Sequence, residues 1–379
     1  MIPNGQIING LPRKPGGGVR MAGPKSQHGR NNRPHRYGKG RRNGNDGGRW
    51  QHTYAAVDLG THNCRLLVAH PTRRAFRVVD AFSRTVRLGE SVERDGKLCQ
   101  AAMDRTVEAL KICASKIKRH QTDKLRCVAT EACRQAANRS LFEKRVESEL
   151  GLTIETISCE EEARLALQGC APLIDQSRPH GLMFDIGGGS TELIWMRTEG
   201  KRPEMVDSMS IPYGVVSLSE RYGEEAICGE PYGEIVDYME ERLKTFCRRH
   251  QIGDAVRQGN VQMLGASGTV TTLAGVSLNL PRYDRSMVDG ATLDFDEVQS
   301  VSERLRHLSC DERAAHPCIG AERAKLVVAG CAVLEAIMRR WSVGSIRVAD
   351  RGVREGILFE LMQQADAERD AGQDGHRPS

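Results

Sequence analysis

The sequence predicts an α/β fold built from two related halves, and three observations support this prediction. Short apolar segments typical of buried strands alternate with longer segments of helical spacing along most of the chain. An apolar run that ends in an aspartate and a turn, and then resumes, occurs twice, at residues 57–68 and 184–195. The chain has 379 residues, which is enough for two domains at about 150 residues each.

Strand-like and helical segments follow one another in the first half of the chain. The first helical segment has its apolar side chains on one face, at Val107, Leu110, Ala114 and Ile117. Gly151 follows the second helical segment and suits a helix C-cap. We predict strands at 53–60, 64–70, 76–89, 124–132 and 153–158, and helices at 99–120, 133–151 and 159–170.

The same order of segments starts again in the second half. Residues 181–196 have the pattern of a strand, a turn and a second strand, and a later glycine turn joins another strand to a helix. The chain after about Leu361 is polar, so we predict that residues 366–379 form a disordered tail. The other predicted segments are helices at 232–250, 321–341 and 353–362 and a strand at 345–350.

Composition narrows the class of protein. No apolar run approaches the about 20 residues that span a bilayer, so we expect no membrane segment. The N-terminus has no apolar signal-peptide core, which favours a cytoplasmic protein. Twelve cysteines are present, but none forms a C-x-x-C pair and most lie in apolar or helical stretches. We therefore expect reduced thiols in the core instead of disulfides or a zinc site.

The N-terminal segment, residues 1–51, differs from the rest of the chain. The formal net charge of +6 is the sum of +10 in residues 1–50 and −4 in the other 329 residues. This segment is also rich in Gly, Pro and Asn, so we predict a disordered basic arm. The arm could contact a polyanion such as RNA, membrane headgroups or a phosphate polymer. The alternative is a solvated tail without a partner.

The two interrupted strands form an internal repeat. Aligned without gaps, Asp58 corresponds to Asp185 and Gly60 to Gly187, and the apolar residues that follow also correspond. Glycine lets the backbone approach a ligand closely, and free N–H groups in such a turn bind phosphate oxygens. An acid beside the turn can hold a divalent metal. An aspartate and glycine also form ordinary hairpin turns, but two copies predict a phosphate-bearing ligand between two hairpin tips.

A third glycine turn supports a phosphate site. Residues 264–275 place Ser267, Gly268 and Thr269 between a strand and the start of a helix. Free amides and the helix dipole attract anions to a helix N-terminus. Taken alone, this segment is also consistent with an ordinary loop before a helix.

With these motifs the chain resembles the exopolyphosphatase/guanosine pentaphosphatase family over about residues 52–365. The resemblance implies two actin-like, ribonuclease H-like domains with an active-site cleft between them, as in actin, sugar kinases and heat-shock chaperones. The expected domains are 52–165 and 166–365, in the short form that lacks extra C-terminal domains. The resemblance rests on the motifs AAVDLGTHNCRLLVA, VRLGE, VATEACRQAANR, ISCEEEARLALQG, FDIGGGSTELIW, LGASGTVTTLAG and VREGIL.

The resemblance also implies roles for individual residues. Glu162 matches the catalytic glutamate, with Glu161 as the neighbour that could be confused with it. Asp185 and Glu192 match the acidic pair linked to the metal and the attacking water, and Asp58 matches a metal ligand at the first turn. The expected phosphate-binding residues are Thr61, Asn63, Arg134, Gly187, Gly188, Gly189, Ser190, Ser267, Gly268 and Thr269.

Two of these assignments have an alternative. The acids Glu160, Glu161 and Glu162 would also complement the dipole at the start of a helix without any catalytic role. His62 departs from the family pattern, in which an asparagine is common at that place. An imidazole there could tune phosphate affinity or add pH dependence, because histidine titrates near neutral pH. The alternative is neutral drift, and we assign His62 no catalytic role.

The expected activity is Mg²⁺-dependent hydrolysis of the terminal phosphoanhydride of inorganic polyphosphate, in a protein that the family suggests is a homodimer. Hydrolysis of guanosine pentaphosphate at the same site is the first alternative. A sugar or acid kinase fits less well, because no kinase signature accompanies the shared turns. A non-catalytic protein that senses a phosphate ligand is the remaining alternative, and the acidic set Asp58, Glu162, Asp185 and Glu192 argues against it.

Overall fold

The computed structural model describes residues 52–73, 75–200 and 202–374. The predicted basic arm, residues 1–51, and residues 375–379 lie outside the described residues. Strands and helices alternate through the described part and build two mixed β-sheets, one in each half of the chain. The predicted α/β class is confirmed.

The first sheet has the strand order β3-β2-β1-β4-β5. Its first three strands form an antiparallel meander, and β4 and β5 continue the sheet parallel to β1. The strands are β1 (Tyr54–Leu59), β2 (Asn63–Pro71), β3 (Phe76–Thr85), β4 (Lys124–Ala129) and β5 (Glu155–Thr156). The helices are α1 (Val92–Asp95), α2 (Gln100–Arg119), α3 (Glu131–Gln135), α4 (Arg139–Leu150) and α5 (Cys159–Cys170).

The second sheet has the order β10-β11-β9-β6-β7-β8. The strands are β6 (His180–Ile186), β7 (Thr191–Arg197), β8 (Glu204–Ile211), β9 (Val261–Gly265), β10 (Thr292–Asp294) and β11 (Ser345–Val348). The helices are α6 (Val215–Tyr222), α7 (Pro231–Arg249), α8 (Ile252–Arg257), α9 (Gly268–Ser277), α10 (Arg285–Val288), α11 (Phe295–His307), α12 (Cys310–Ala315), α13 (Gly320–Ala324), α14 (Val327–Arg340) and α15 (Val353–Asp374).

The two sheets repeat one topology. In the second sheet β6, β7 and β8 again form an antiparallel meander, and β9 and β11 extend it in parallel. The predicted hairpins are β1–β2 and β6–β7, and each carries its aspartate near the tip. This duplication agrees with the expected pair of actin-like domains.

One apolar cluster joins the two halves. It contains Leu67 of the first sheet, Met183 of the second sheet and Ile357 of α15, all of them buried. The helices α5 and α15 pack against each other within this cluster, and α15 also contacts β1. The expected domain boundary at residues 165–166 therefore falls inside α5, a helix that packs between the halves.

Two glycines allow α5 and α15 to cross closely. A Cβ atom on Gly169 would lie 2.1 Å from the carbonyl oxygen of Gly352, and one on Gly356 would lie 2.0 Å from that of Leu165. Both distances are far below van der Waals contact with backbone atoms, which cannot move aside as a flexible side chain would. The crossing therefore requires glycine on each helix.

Two predicted helices are divided in the structure. The helix predicted at 133–151 is interrupted between α3 and α4, where the amide of Asn138 accepts from Leu98 N (2.8 Å) and donates to Leu98 O (2.9 Å). This side chain is committed to a distant backbone segment, and it favours a break over a continuous helix. The helix predicted at 321–341 likewise divides into α13 and α14.

The predicted start of the disordered tail at residue 366 is wrong, because α15 continues to Asp374. A contact lies beyond that point: Glu368 accepts from Lys124 Nζ at 2.6 Å. Lys124 begins β4, 244 residues earlier in the chain, so local polarity does not reveal this contact.

The structure also bears on the expected reduced cysteines and on the expected absence of a membrane segment. All twelve cysteines are free thiols, seven of them buried and five partly exposed. Across the described residues, no helix combines the length and the apolar content needed to cross a membrane.

Candidate active site between two hairpins

A cavity of about 480 Å³ lies where the tips of the two hairpins meet. Every site residue predicted from the sequence lines it except Arg134. The predicted residues that line the cavity are Asp58, Thr61, Asn63, Glu162, Asp185, Gly187, Gly188, Gly189, Ser190, Glu192, Ser267, Gly268 and Thr269. Residues far apart in the chain thus converge on one place.

The first hairpin tip is held by the loop that follows β3. Gly60 N donates to Asn63 O at 3.0 Å and closes the turn. The carbonyl of His62 accepts from both Val86 N and Arg87 N, at 2.9 and 3.0 Å. These two bonds turn the chain away from β2, so β3 ends at Thr85 and not at residue 89 as predicted. The VRLGE segment therefore positions the first hairpin.

The second hairpin tip is made of glycine because the first hairpin lies against it. A Cβ atom on Gly189 would lie 2.9 Å from Thr61 Oγ1, and one on Gly188 would lie 3.3 Å from the Cβ of His62. Within the described residues, the N–H groups of Gly188, Gly189 and Thr61 donate to no protein acceptor. Free amides at a turn form an anion-binding concavity, so the tips can hold phosphate oxygens.

The loop between β9 and α9 adds a helix N-terminus to the cavity. The Ser267 side chain caps α9 by accepting from Val270 N at 3.1 Å. Gly268 and Thr269 begin the helix and line the cavity beside Ser267. The start of a helix favours negative charge, which adds a second anion-binding element to the hairpin tips.

Helix α5 separates Glu162 from Glu161. The side chain of Ser158 caps the helix by accepting from Glu161 N at 3.1 Å, which places both glutamates in its first turn. Glu162 lines the cavity. Glu161 instead accepts from Arg126 and Arg164, at 2.9 and 2.7 Å, in an ion-pair network on another side of the helix. Of the two, only Glu162 can reach a ligand in the cavity.

The pKa values of four cavity carboxyl groups are raised above their usual values. Burial and the neighbouring charge of Glu192 raise the pKa of Glu162 to about 8. Burial and the charge of Asp185 raise the pKa of Glu192 to about 7. Burial likewise raises the pKa of Asp185 to about 7, and it raises the pKa of Asp58. Perturbed carboxyls gathered in one cleft are typical of catalytic sites.

Arg134 lies behind Glu162 and does not line the cavity. Its guanidinium donates to Glu162 Oε2 at 2.7 Å, to Glu131 Oε2 at 2.6 Å and to Ile157 O at 3.1 Å. These contacts use most of its donors and orient the Glu162 carboxylate. Direct phosphate binding by Arg134 stays a prediction from the resemblance.

Four cavity arginines were not predicted from the sequence: Arg65, Arg323, Arg351 and Arg354. Burial lowers the pKa of Arg323 and of Arg354, which is the sign of cations held out of water. Two signals were present in the sequence. Arg65 corresponds to Glu192 in the repeat: it lies opposite Asp58 on the neighbouring strand, as Glu192 lies opposite Asp185. Arg354 lies in the VREGIL motif.

His62 lies in the cavity wall as a neutral side chain. Burial, reinforced by the charge of Arg87, lowers the pKa of His62 to about 4. Its Nδ1 atom is buried and has no hydrogen-bond partner among the described residues. A pKa of about 4 keeps the imidazole neutral near pH 7, which argues against a pH dependence from His62 near neutrality.

The donor set fits Mg²⁺. Asp58 and Asp185 occupy equivalent places on the two hairpins, and the charge of Asp58 raises the pKa of Asp185, so a cation between them would relieve their repulsion. No three His, Cys, Asp or Glu side chains of the described residues gather closely enough to hold a metal ion by themselves. Mg²⁺ is commonly bound by one or two carboxylates together with water and substrate phosphates.

Solved structures resemble most of this chain. An exopolyphosphatase-like protein has a TM-score of 0.74 and 28% identity, with 83% of this chain and 98% of that chain covered. The Ppx/GppA family member of Aquifex aeolicus has a TM-score of 0.67 and 25% identity, with 84% and 98% covered. An exopolyphosphatase from Cytophaga hutchinsonii has a TM-score of 0.70 with 82% and 98% covered, and at 21% identity it supports the fold alone.

The sequence itself matches a family model. The model describes the Ppx/GppA phosphatase family and matches residues 67–365, which include the second sheet, the first sheet from within β2 onward and most of the cavity lining. Fold, cavity and sequence therefore lead to one conclusion: this chain belongs to the Ppx/GppA phosphatase family.

Proposed function

We propose that the protein is an exopolyphosphatase that releases orthophosphate from the end of inorganic polyphosphate with the help of Mg²⁺. The observation that carries the proposal is the cavity, in which free backbone amides and four arginines line the same space as the carboxyls of Glu162, Asp185 and Glu192. Such a site attracts a polyanion and places an acid–base group beside it. Hydrolysis of a phosphoanhydride needs chiefly positioning and charge neutralisation.

The hairpin tips would bind the terminal phosphoryl group. The free N–H groups of Gly188, Gly189 and Thr61 suit its oxygens, and the start of α9 adds the hydroxyls of Ser267 and Thr269. The cavity arginines would hold the following phosphates by charge. Mg²⁺, held by Asp58 and Asp185 with Glu192 nearby, supplies positive charge to the phosphate oxygens when it is bound.

Glu162 would activate the attacking water. Its carboxylate accepts one proton from the water as the water oxygen bonds to the terminal phosphorus and the bridging P–O bond breaks. The products are orthophosphate and a chain one phosphate shorter. Arg134 fixes the orientation of Glu162, and the raised pKa of about 8 makes its carboxylate a stronger base than one exposed to water.

Guanosine pentaphosphate hydrolysis is the second candidate. Tyr283 lines the cavity, with the Arg323 guanidinium 5.7 Å from the centre of its ring. An aromatic ring beside an arginine can stack on a nucleobase, which polyphosphate does not have. This observation favours a nucleotide among the substrates of the same site.

Phosphate release from long-chain polyphosphate, guanosine pentaphosphate and ATP, each with Mg²⁺, tests both candidates. Glu162→Gln should abolish most of the release, while Glu161→Gln, a matched change on the side of α5 away from the cavity, should retain it. Release confined to guanosine pentaphosphate would replace the first candidate with the second. Release that survives Glu162→Gln would contradict the role of Glu162, and no release from any substrate would favour a ligand-sensing protein.

A further inference from the structure

A second cavity, of about 440 Å³, lies on the far side of Glu192. The first turn of α5 and residues 205–210 of β8 form its walls. Glu192 lines this cavity and also the active-site cavity, so the two spaces meet at one side chain. The mechanism above makes no use of this second cavity.

Hydroxyl groups link the two cavities through Glu192. Its Oε1 atom accepts from Ser190 Oγ at 2.5 Å, on the active-site side. The same atom accepts from Ser210 Oγ at 3.2 Å, on the side of the second cavity. A polar path therefore crosses the wall between the cavities where the carboxyl groups lie. A polar space of this size has ample room for water.

The two cavities differ in their basic residues. Four arginines line the active-site cavity, together with eight acidic residues. The charged residues lining the second cavity are Glu160, Glu192 and Asp207, and none of the described residues that line it is basic. With no arginine to offset its acids, the second cavity repels a phosphate chain and its orthophosphate product but admits water.

We propose that the second cavity is a separate water entrance to the Glu162–Glu192 carboxyl pair, used while a polyanion fills the main cavity. The proposal rests on the proposed function, because each cycle of hydrolysis consumes one water. A long chain that occupies the main cavity restricts solvent at its mouth. Water that arrives past Ser210 reaches Glu192 from behind and avoids the substrate.

Closing the entrance tests the proposal with two substrates. Val206, 43% exposed, lies in the wall of the second cavity, so Val206→Trp should cover it. We expect kcat to fall several-fold with long-chain polyphosphate and to stay near the wild-type value with tripolyphosphate, which leaves the main mouth open. Val78→Trp is the control, because Val78 is 37% exposed on β3 and lines neither cavity.

The possible failures can be told apart. If the wild type hydrolyses neither substrate, the proposed function fails and the entrance fails with it. If the wild type hydrolyses both, and Val206→Trp changes neither rate or lowers both equally, only the entrance is overturned. Thermal unfolding of both tryptophan variants checks that they are folded.

A second measurement does not depend on turnover. Cys159 lines the second cavity and is partly exposed, so methyl methanethiosulfonate labelling, located by mass spectrometry, reports access to it. In the Glu162→Gln protein, long-chain polyphosphate should leave the labelling rate of Cys159 unchanged, whereas Val206→Trp should slow it. Protection of Cys159 by polyphosphate, or no effect of Val206→Trp, would overturn the independent entrance.

Discussion

Adjacent residues of α5 have different surroundings because each helical residue turns by about 100° from the one before it. Glu161 is held by Arg126 and Arg164 outside the cavity, while Glu162 lies inside it beside other acids. Both residues are glutamates, and they are neighbours in the sequence. Their chemistry is decided by what each one faces after folding.

Arg134→Gln should shift the pH profile of kcat/KM to higher pH. Arg134 is the cation that opposes the raised pKa of Glu162, so its loss raises that pKa further. A general base acts only when deprotonated, and kcat/KM reports the free enzyme, so activity should rise with pH through this pKa and do so later in the variant.

The measurement is kcat/KM for polyphosphate between about pH 6 and 9, around the pKa of about 8. Arg126→Gln is the matched control, because Arg126 pairs with Glu161 and not with Glu162. An unshifted profile with a higher KM would contradict a positioning role and would favour the direct phosphate contact that the family resemblance implies.

At the scale of the elements, the repeat extends beyond the hairpins. Asp80 on β3 accepts from Lys116 Nζ at 2.8 Å and from His120 Nε2 at 2.9 Å, at the end of α2. Asp207 on β8 accepts from His250 Nε2 at 2.7 Å, at the end of α7. Each half thus attaches a long helix to the third strand of its sheet through an aspartate and a histidine.

Asp80→Asn should destabilise the protein by about 1–3 kcal/mol near neutral pH, because charged hydrogen bonds are lost. The hydrogen bond from Lys116 holds the pKa of Asp80 far below its usual range. A depressed pKa stabilises the fold at pH values above the unfolded pKa of about 4, and this contribution fades as the pH falls towards the folded value.

Urea unfolding at pH 7 and near pH 3 measures this contribution. The difference between the wild type and Asp80→Asn should shrink at the lower pH. Asp95→Asn is the control, because the Arg94–Asp95 pair is exposed and exposed pairs contribute little. A difference of equal size at both pH values would mean that packing, and not the charge of Asp80, carries the effect.

Gly356→Ala should destabilise the crossing of α5 and α15 by about 1–3 kcal/mol, because the added methyl meets backbone atoms. The added carbon would lie 2.0 Å from the Leu165 carbonyl oxygen. Gly233→Ala in α7 is the matched control, since a Cβ atom there meets nothing within 4 Å and alanine favours a helix. Thermal unfolding compares the two variants, and equal melting temperatures would contradict the close crossing.

At the scale of the whole molecule, the sequence has a basic N-terminal segment and the structure has the active-site cavity. Residues 1–50 carry a formal charge of +10, and the rest of the chain carries −4. Four arginines line the active-site cavity, together with eight acidic residues. A long polyanion would therefore be attracted at two places, and a short one at the cleft alone.

Removal of residues 1–50 should raise KM for long-chain polyphosphate and leave KM for tripolyphosphate unchanged. We expect this because a basic arm would attract the distal part of a long chain, and added salt should weaken the attraction. The control is an arm of equal length in which glutamine replaces every Lys and Arg. Equal changes in KM for both substrates would contradict the role of the arm.

Much of the architecture follows from local patterns. The alternation of apolar segments and the aspartate–glycine repeat predicted two related α/β halves, and both are present. The interruption at Asn138 and the extent of α15 could not be predicted, because each depends on a partner far away in the chain. Periodicity describes which side chains can be buried, but it does not describe which distant backbone group they meet.

The sequence alone determined the fold class, the two hairpins and the residues that they bring to the cavity, because strand periodicity and glycine turns are encoded locally. Only the tertiary structure decided that Glu162 faces the cavity and Arg134 lies behind it. It also decided that Arg323 and Arg354 join Arg65 at one site. Electrostatic partners are chosen by distance in space, and folding sets that distance between residues that lie hundreds of positions apart.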